Sequence, residues 1–145
     1  MQKKTIYTTP QDAENAFYSA IHRGDIEAFM AVWSEDEEIL CILPGGPRII
    51  GYNDIRETWR HILENDQRFG IRVDHQVVLS GALVTVHNLQ VTVTLTNDQG
   101  VQRVPVLATN IFSRGPSGWR LMVHHASPIM SNDEDETEDG DRTLH

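Results

Sequence analysis

The change in hydrophobic period near residue 71 constrains the fold of this chain most. Before that point apolar residues recur at the three- and four-residue spacing of amphipathic helices, and beyond it they alternate with a period of two. Four strands are predicted in the second half, over residues 72–80, 83–96, 101–113 and 119–127, with glycine-containing turns between them. Successive strands joined by short turns form an antiparallel meander, which leaves one face for helices to cover.

The first half of the chain supplies those helices. Thr9 can cap a first helix that has Pro10 in its first turn, and Gly24 ends it because glycine adopts the left-handed conformation without steric cost. Asp25 caps a second helix at once, and its inward stripe includes Trp33. The apolar stripe of the first helix consists of Ala13, Ala16, Phe17, Ala20 and Ile21.

A short apolar strand is predicted at residues 39–43, and a brief hairpin arm at residues 48–50 pairs back with it. A third helix, capped near Asn53, carries Trp59 on its inner face. The order helix, helix, strand, helix, meander predicts an α+β fold. A length of 145 residues suits one domain that buries a core without disulfides.

The formal net charge of −9 is concentrated at the C-terminus. Residues 131–145 hold seven acidic side chains and one arginine, which leaves 14 acidic residues against 11 lysines and arginines elsewhere. A segment with many like charges and few apolar residues is expected to be disordered. The predicted organisation is therefore a flexible lead at residues 1–9, a single domain at 10–130 and a disordered acidic tail at 131–145.

Composition also excludes several classes of partner. The nearly balanced body has no basic stripe, which argues against nucleic acid and against an anionic membrane surface. No apolar run approaches the length of a membrane span, and residues 1–20 contain no signal peptide, so a cytoplasmic protein is expected. The single cysteine, Cys41, excludes an internal disulfide and is expected to be a buried apolar residue.

Several local features occur together in an order typical of one superfamily. They are the helix turn from Tyr18 to Asp25, the acidic turn at 35–38, the Pro-Gly-Gly-Pro-Arg-Ile-Ile-Gly segment at 44–51, and the closing segment from Trp119 to Ser127. Together they resemble the SnoaL-like and ketosteroid-isomerase-like branch of the nuclear-transport-factor-two-like superfamily over residues 10–130. The resemblance implies a cone-shaped, cystatin-like roll, in which a curved antiparallel sheet wraps around three N-terminal helices and encloses a pocket. It also implies a homodimer formed through the sheet.

The catalytic residues of the ketosteroid isomerases are not matched. Leu43 precedes Pro44 at the position where the resemblance implies an aspartate as general base. The oxyanion-hole tyrosine of those enzymes lies on the inner face of the first helix, where this chain has Phe17, with Tyr18 one residue out of phase. We therefore do not expect ketosteroid isomerase activity.

The last two strands also resemble the association domain of calcium/calmodulin-dependent kinase, whose pocket holds arginines. Asn110 stands where the resemblance implies one of them, and a neutral amide binds a carboxylate less tightly than a guanidinium. Asn110 shares the phase of the apolar residues of its strand, so it is a candidate pocket amide. His87 in the preceding strand lies opposite in phase to Asn88 and Gln90, and which phase faces the helices stays open.

His125 is the leading candidate for a chemical role. Strict alternation along the last strand places Trp119, Leu121 and His125 on one face, whereas His124 points toward solvent or a partner. If the first face lines the cone, His125 can act as a general acid or base or can bind a polar ligand. The alternative is a structural histidine bonded to Asn110 or another neighbour. Adjacent strand residues diverge, so the two histidines do not readily chelate one ion, and neither a metal nor a cofactor is predicted.

The predicted pocket is lined by Phe17, Trp33, Leu43, Trp59, Asn110 and His125. Three functions remain open. The first is the binding of a small, largely apolar molecule with one or two polar groups, anchored by His125 and Asn110. The second is an enzyme of the isomerase, dehydratase or hydrolase kind, in which His125 transfers a proton. The third is an assembly domain whose cavity is filled by its own side chains.

Overall fold

The computed structural model describes residues 5–65 and 67–129. Within these ranges the elements are α1 (Pro10–Arg23), α2 (Ile26–Ala31), β1 (Leu40–Ile42), β2 (Arg48–Ile50), α3 (Tyr52–Glu64), β3 (Arg68–Leu79), β4 (Val84–Asn97), β5 (Gly100–Gly115) and β6 (Gly118–Pro128). The acidic tail predicted at residues 131–145 lies outside the described residues.

The strands form one curved sheet in the order β2-β1-β6-β5-β4-β3. The four long strands pair antiparallel as the predicted meander, and β1 joins β6 in parallel. The hairpin arm at 48–50 is β2, which pairs antiparallel with β1. The α+β fold is therefore confirmed, with three helices on the inner face of a six-stranded sheet.

The helix ends follow the capping residues. The Thr9 side chain accepts a hydrogen bond from the Asp12 backbone N–H, and Gly24 ends α1 in the left-handed conformation with a φ of 68°. Asp25 caps α2 by accepting from the Ala28 backbone N–H at 3.0 Å. α3 begins at Tyr52, earlier than its predicted cap, and Gly51 stands at its N-cap without a side-chain bond.

An aromatic cluster forms the centre of the core between the helices and the sheet. The Phe17 ring lies 5.0 Å from Phe29 and 6.2 Å from Trp33, measured between centroids, and Phe29 lies 4.5 Å from Trp59. Phe17, Phe29 and Trp33 are essentially inaccessible to solvent. Burial of such side chains dominates the stability of a domain of this size.

A β-bulge interrupts the last strand at Met122. Ile111 of β5 pairs with Val123, whereas its neighbour Phe112 pairs with Leu121, so Met122 has no partner in the register. One extra residue in a strand reverses which face each later residue occupies. The predicted strict alternation is therefore wrong beyond Leu121.

Part of the predicted flexible lead is attached to the sheet. Tyr7 forms a bridge with Gly118, and the Trp119 backbone N–H donates to the Tyr7 carbonyl at 2.9 Å. The Arg120 guanidinium lies 5.0 Å above the Tyr7 ring and donates to the Thr5 carbonyl. Residues 5–9 thus extend the fold at the end of β6 that lies farthest from its histidines.

Candidate functional site

A cavity of about 260 Å³ lies between α1, α3 and the inner face of the long strands. Its wall is almost wholly apolar and includes Leu43 and Trp59. The Trp59 indole N–H donates to the Cys41 sulfur at 3.4 Å, which occupies that donor. Among the remaining described residues of the wall, Tyr18 and His124 supply the polar side chains.

His124, not His125, faces this cavity. The bulge at Met122 turns His124 inward, where its side chain is 5 % exposed, and turns His125 to the outer, exposed face. The predictions that His125 lines the pocket and that His124 points outward are both wrong for this reason. Two adjacent imidazoles are thus divided between the interior and the surface.

The environment keeps the His124 ring neutral near pH 7. Burial, and to a lesser extent the nearby His125, lowers the pKa of His124 to about 4. A neutral imidazole carries one proton, so one ring nitrogen donates and the other accepts. Nδ1 of His124 lies 2.6 Å from Oδ1 of Asn110, and the described residues provide no hydrogen-bond partner for Nε2. Because a carbonyl oxygen only accepts, the proton belongs on Nδ1 and the lone pair on Nε2.

Asn110 is fully buried and connects the cavity to α1. Its amide nitrogen donates to Oε2 of Glu14 at 2.8 Å and to the Tyr18 hydroxyl at 3.1 Å. The sequence prediction placed Asn110 among the residues that line the pocket, whereas the cavity wall does not include it. It lies one layer behind the wall, where it contacts both polar groups of the cavity.

Tyr18 supplies the second polar group of the wall. Burial raises the pKa of its phenol, its hydrogen bond with Asn110 opposes this rise, and the charge of Glu14 adds to it, so the hydroxyl stays protonated. Its oxygen accepts from Asn110, and the described residues provide no acceptor for its own proton. The sequence-based view of Tyr18 as out of phase is wrong, because α1 is buried over a wide arc.

A buried carboxylate completes the network on the side of the sheet's edge. Glu14 is 1 % exposed, and its Oε1 lies 3.1 Å from Nδ1 of His87. The Gln76 amide also donates to this oxygen. His87 lies in the inward phase of β4, which settles the phase that the sequence left open. The network thus runs from β3 and β4 through α1 to β5 and β6.

Besides His125 and Asn110, two further residues of the predicted pocket do not reach the cavity. Phe17 and Trp33 lie in the aromatic core, where Phe17 packs against the His124 ring at 5.0 Å between centroids. The Trp33 indole nitrogen is buried without a hydrogen-bond partner among the described residues. Both residues support the cavity from behind instead of contacting its contents.

Sequence reasoning missed Glu14, Tyr18 and His124, although a signal for the first two was present. Glu14 and Tyr18 are four residues apart, so they share a face of α1 beside the apolar stripe. That spacing predicts a second, polar stripe. The position of His124 had no comparable signal, because the bulge is not marked by glycine or another turn residue.

Cys41 and the described histidines and carboxylates show no metal-binding arrangement. Burial raises the pKa of Cys41 to about 11. Within residues 5–65 and 67–129, no group of three histidine, cysteine or acidic side chains is placed to hold an ion. In the same ranges, no helix has the length and apolar character required to cross a membrane.

The curved sheet packed against three helices matches the fold of solved structures from the nuclear-transport-factor-two-like superfamily. More narrowly, residues 11–131 match the model of the SnoaL-like domain, and the chain belongs to that family.

Three known proteins illustrate the similarity. A proposed calcium/calmodulin-dependent protein kinase type II association domain from Thiobacillus denitrificans is 31% identical, with a TM-score of 0.74 over 86% of this chain and 98% of that one. A proposed dehydratase of the NTF2-like family from Streptomyces avermitilis is 26% identical, with a TM-score of 0.76 over 81% of this chain and 91% of that one. The F-box protein SKIP8 of Arabidopsis thaliana is 25% identical over 134 residues, which are 90% of this chain. The chain spans about half of SKIP8, 55% of its length.

Proposed function

We propose that this protein binds a small, uncharged and largely apolar molecule in the cavity between α1 and the sheet. The observation that carries the proposal is that an otherwise apolar wall includes Tyr18, whose hydroxyl accepts from Asn110, and His124, whose Nε2 has no hydrogen-bond partner among the described residues. Ligand sites typically combine apolar walls with a few placed polar groups of this kind. The cavity is open volume, which argues against a domain filled by its own side chains.

The size of the cavity limits the ligand. Its 260 Å³ lies just below the range of about 300–1,000 Å³ that is usual for drug-sized ligands. A cavity of about 150 Å³ already accommodates benzene. A molecule with one ring, or a branched aliphatic of similar volume, therefore fits better than a steroid.

Charge limits the ligand further. The described residues of the cavity wall include no lysine or arginine, and His124 is neutral near pH 7. The Glu14 carboxylate lies directly behind Asn110, so its field opposes an anion in the cavity. A carboxylate or phosphate would lose its hydration without gaining a cation. A ketone, an alcohol or a phenol matches the two polar groups without this cost.

An enzymatic function is the second candidate. The Tyr18 hydroxyl could stabilise negative charge on a carbonyl oxygen while Nε2 of His124 removes a proton from a neighbouring carbon. The similarity to a proposed dehydratase from Streptomyces avermitilis favours this candidate. The lowered pKa of His124 opposes it, because a ring with a pKa of about 4 is a weak base at pH 7. Binding is therefore the primary proposal.

The test compares adjacent histidines. We expect His124→Ala to weaken binding of 4-hydroxyacetophenone, a one-ring ketone and phenol, by about tenfold, and His125→Ala to leave it unchanged. Isothermal titration calorimetry measures both, with benzoate as the charged probe that should not bind. Equal affinities of the two variants for 4-hydroxyacetophenone would contradict the proposal. Tighter binding of benzoate than of 4-hydroxyacetophenone would also contradict it. Hydrogen–deuterium exchange at the probe's methyl group, followed by NMR, separates proton transfer from binding.

A homodimer through the outer face of the sheet is a separate proposal. That face carries exposed apolar side chains, including Val77, Leu79 and Leu107. Apolar residues grouped on one exposed face are typical of contact surfaces. Sedimentation velocity should show a dimer for the unmodified chain and a monomer for Leu107→Lys. The control is Ile6→Lys, which changes an exposed apolar residue beside Gly118. A monomeric unmodified chain would exclude the dimer.

A further inference from the structure

We infer that Glu14, which does not line the cavity, is a positioning residue that fixes the tautomer of His124 through the side-chain amide of Asn110. This inference rests on the proposed binding site, because the tautomer decides whether the cavity offers an acceptor. It concerns a residue on α1 that acts across the core on a residue of β6. The geometry of three consecutive hydrogen bonds supports it.

The first step is the orientation of the Asn110 amide. An asparagine amide has nearly the same shape when its oxygen and nitrogen are exchanged, so its neighbours decide which atom faces which way. The carboxylate of Glu14 can only accept hydrogen bonds. It lies 2.8 Å from the amide nitrogen, whereas the exchanged amide would place the oxygen against a negative charge. Glu14 therefore selects one orientation.

Tyr18 alone would not select it. A hydroxyl accepts and donates equally well, so the Tyr18 oxygen, 3.1 Å from the amide nitrogen, is compatible with either orientation of Asn110. The exchanged amide would accept the Tyr18 proton and remove it from the cavity. Glu14 thus keeps the Tyr18 donor free as well as orienting the amide.

The second step passes this orientation to His124. With the amide nitrogen toward Glu14, the oxygen faces Nδ1 of His124 at 2.6 Å and requires a proton there. The exchanged amide would present N–H groups to Nδ1 and require the proton on Nε2 instead. The cavity would then lose its acceptor. Both side chains are buried, so water cannot substitute for either contact.

The remaining contacts of Glu14 hold its carboxylate in place. Its other oxygen accepts from Gln76 of β3 and from Gln11 of α1, and it lies 3.1 Å from Nδ1 of His87 in β4. These contacts fix the carboxylate from the opposite side. The carboxylate is therefore contacted on both sides, by Asn110 at one oxygen and by the buried His87 at the other.

The tautomer can be observed directly in the ligand-free protein. Two-bond ¹H–¹⁵N correlation spectra of ¹⁵N-labelled protein distinguish the histidine nitrogen that carries the proton from the one that carries the lone pair. For the unmodified chain at pH 7 we expect His124 to carry its proton on Nδ1, with assignment by loss of one spin system in His124→Ala. A proton on Nε2 in the unmodified chain would overturn the inference.

Glu14→Gln tests the cause, because glutamine has the same shape and can donate as well as accept. We expect the His124 signals to shift toward the Nε2–H pattern, in full or as an average of two forms. The matched control is Glu64→Gln, an exposed glutamate at the end of α3, which should leave the pattern unchanged. An unaltered pattern in a folded Glu14→Gln protein would contradict a role for Glu14.

Asn110→Ala provides a second route if Glu14→Gln does not fold. This change removes the amide that links Glu14 to His124 but keeps Glu14, so His124 should no longer be present only as the Nδ1–H tautomer. An unchanged Nδ1–H pattern would exclude an effect of Glu14 through Asn110. Binding of 4-hydroxyacetophenone to Glu14→Gln is then expected to weaken by about tenfold. A tautomer shift without any binding in the unmodified chain would refute the proposed function and leave this inference standing.

Discussion

The two buried faces of α1 contrast in chemistry although they lie on one short helix. One face, represented by Phe17, packs into the aromatic core, and the other, Glu14 and Tyr18, contacts the amide of Asn110. The first face gains stability by removing apolar area from water, whereas the second only recovers the cost of burying polar groups. Adjacent residues of a helix can therefore divide stability and recognition between them.

The largest expected effect is the loss of stability when the aromatic face of α1 is truncated. Phe17→Ala should lower the free energy of unfolding by about 3–5 kcal/mol, because it removes a fully buried ring from a close-packed cluster. Urea denaturation followed by circular dichroism measures the change. A loss below 1 kcal/mol would mean that the two faces do not differ in the way proposed. Phe17→Leu should retain most of the stability and serves as the conservative control.

The second expected effect is a dependence of the free energy of unfolding on pH, which arises from His124 on the polar side of the core. The pKa of His124 is about 4 in the folded protein and near the usual 6.5 when unfolded, so between these values the unfolded chain binds a proton that the folded chain does not. Stability should therefore fall as pH decreases from about 6.5 to about 4, by about 3 kcal/mol in total. This loss should be absent from His124→Gln and retained in His125→Gln. Denaturation midpoints across this range provide the measurement, and a parallel decline in all three proteins would assign it to other groups.

The smallest expected effect concerns Tyr18. Tyr18→Phe removes one hydroxyl but keeps the ring, so the free energy of unfolding should change by about 1 kcal/mol or less. The affinity for cyclohexanone, which can only accept a hydrogen bond, should fall by about tenfold. Comparison with Phe17→Leu in the same titration sharpens the contrast, since that variant should bind normally. Equal loss of affinity in both would place the two faces in a single functional unit.

The fold was largely predictable because its signals are local. The caps at Thr9, Gly24 and Asp25 and the alternating pattern of the long strands each depend on residues close in sequence, and the structure follows them. The inward phase of Asn110 was predicted from its strand neighbours in the same way. Cooperation between these short-range preferences explains why element order and type agree with the sequence pattern.

The candidate site was less predictable because it depends on contacts distant in sequence. Glu14 and Asn110 are 96 positions apart, and their hydrogen bond exists only once α1 lies on β5. The bulge at Met122 arises from pairing between β5 and β6, and no residue near it is of a type that predicts a bulge. One unpaired residue was enough to transfer the proposed role from His125 to its neighbour His124.

The missing partner of Met122 in β5 also predicts how β6 responds to the deletion of a residue. Because Leu121 and Val123 already oppose consecutive residues of β5, loss of Met122 would leave an uninterrupted ladder with the same partners on either side. A chain without Met122 would keep the His124 ring facing the cavity, whereas loss of Val123 or Leu121 would remove a residue that has a partner in β5. Met122 is therefore the residue of β6 whose loss would disturb the pairing with β5 least.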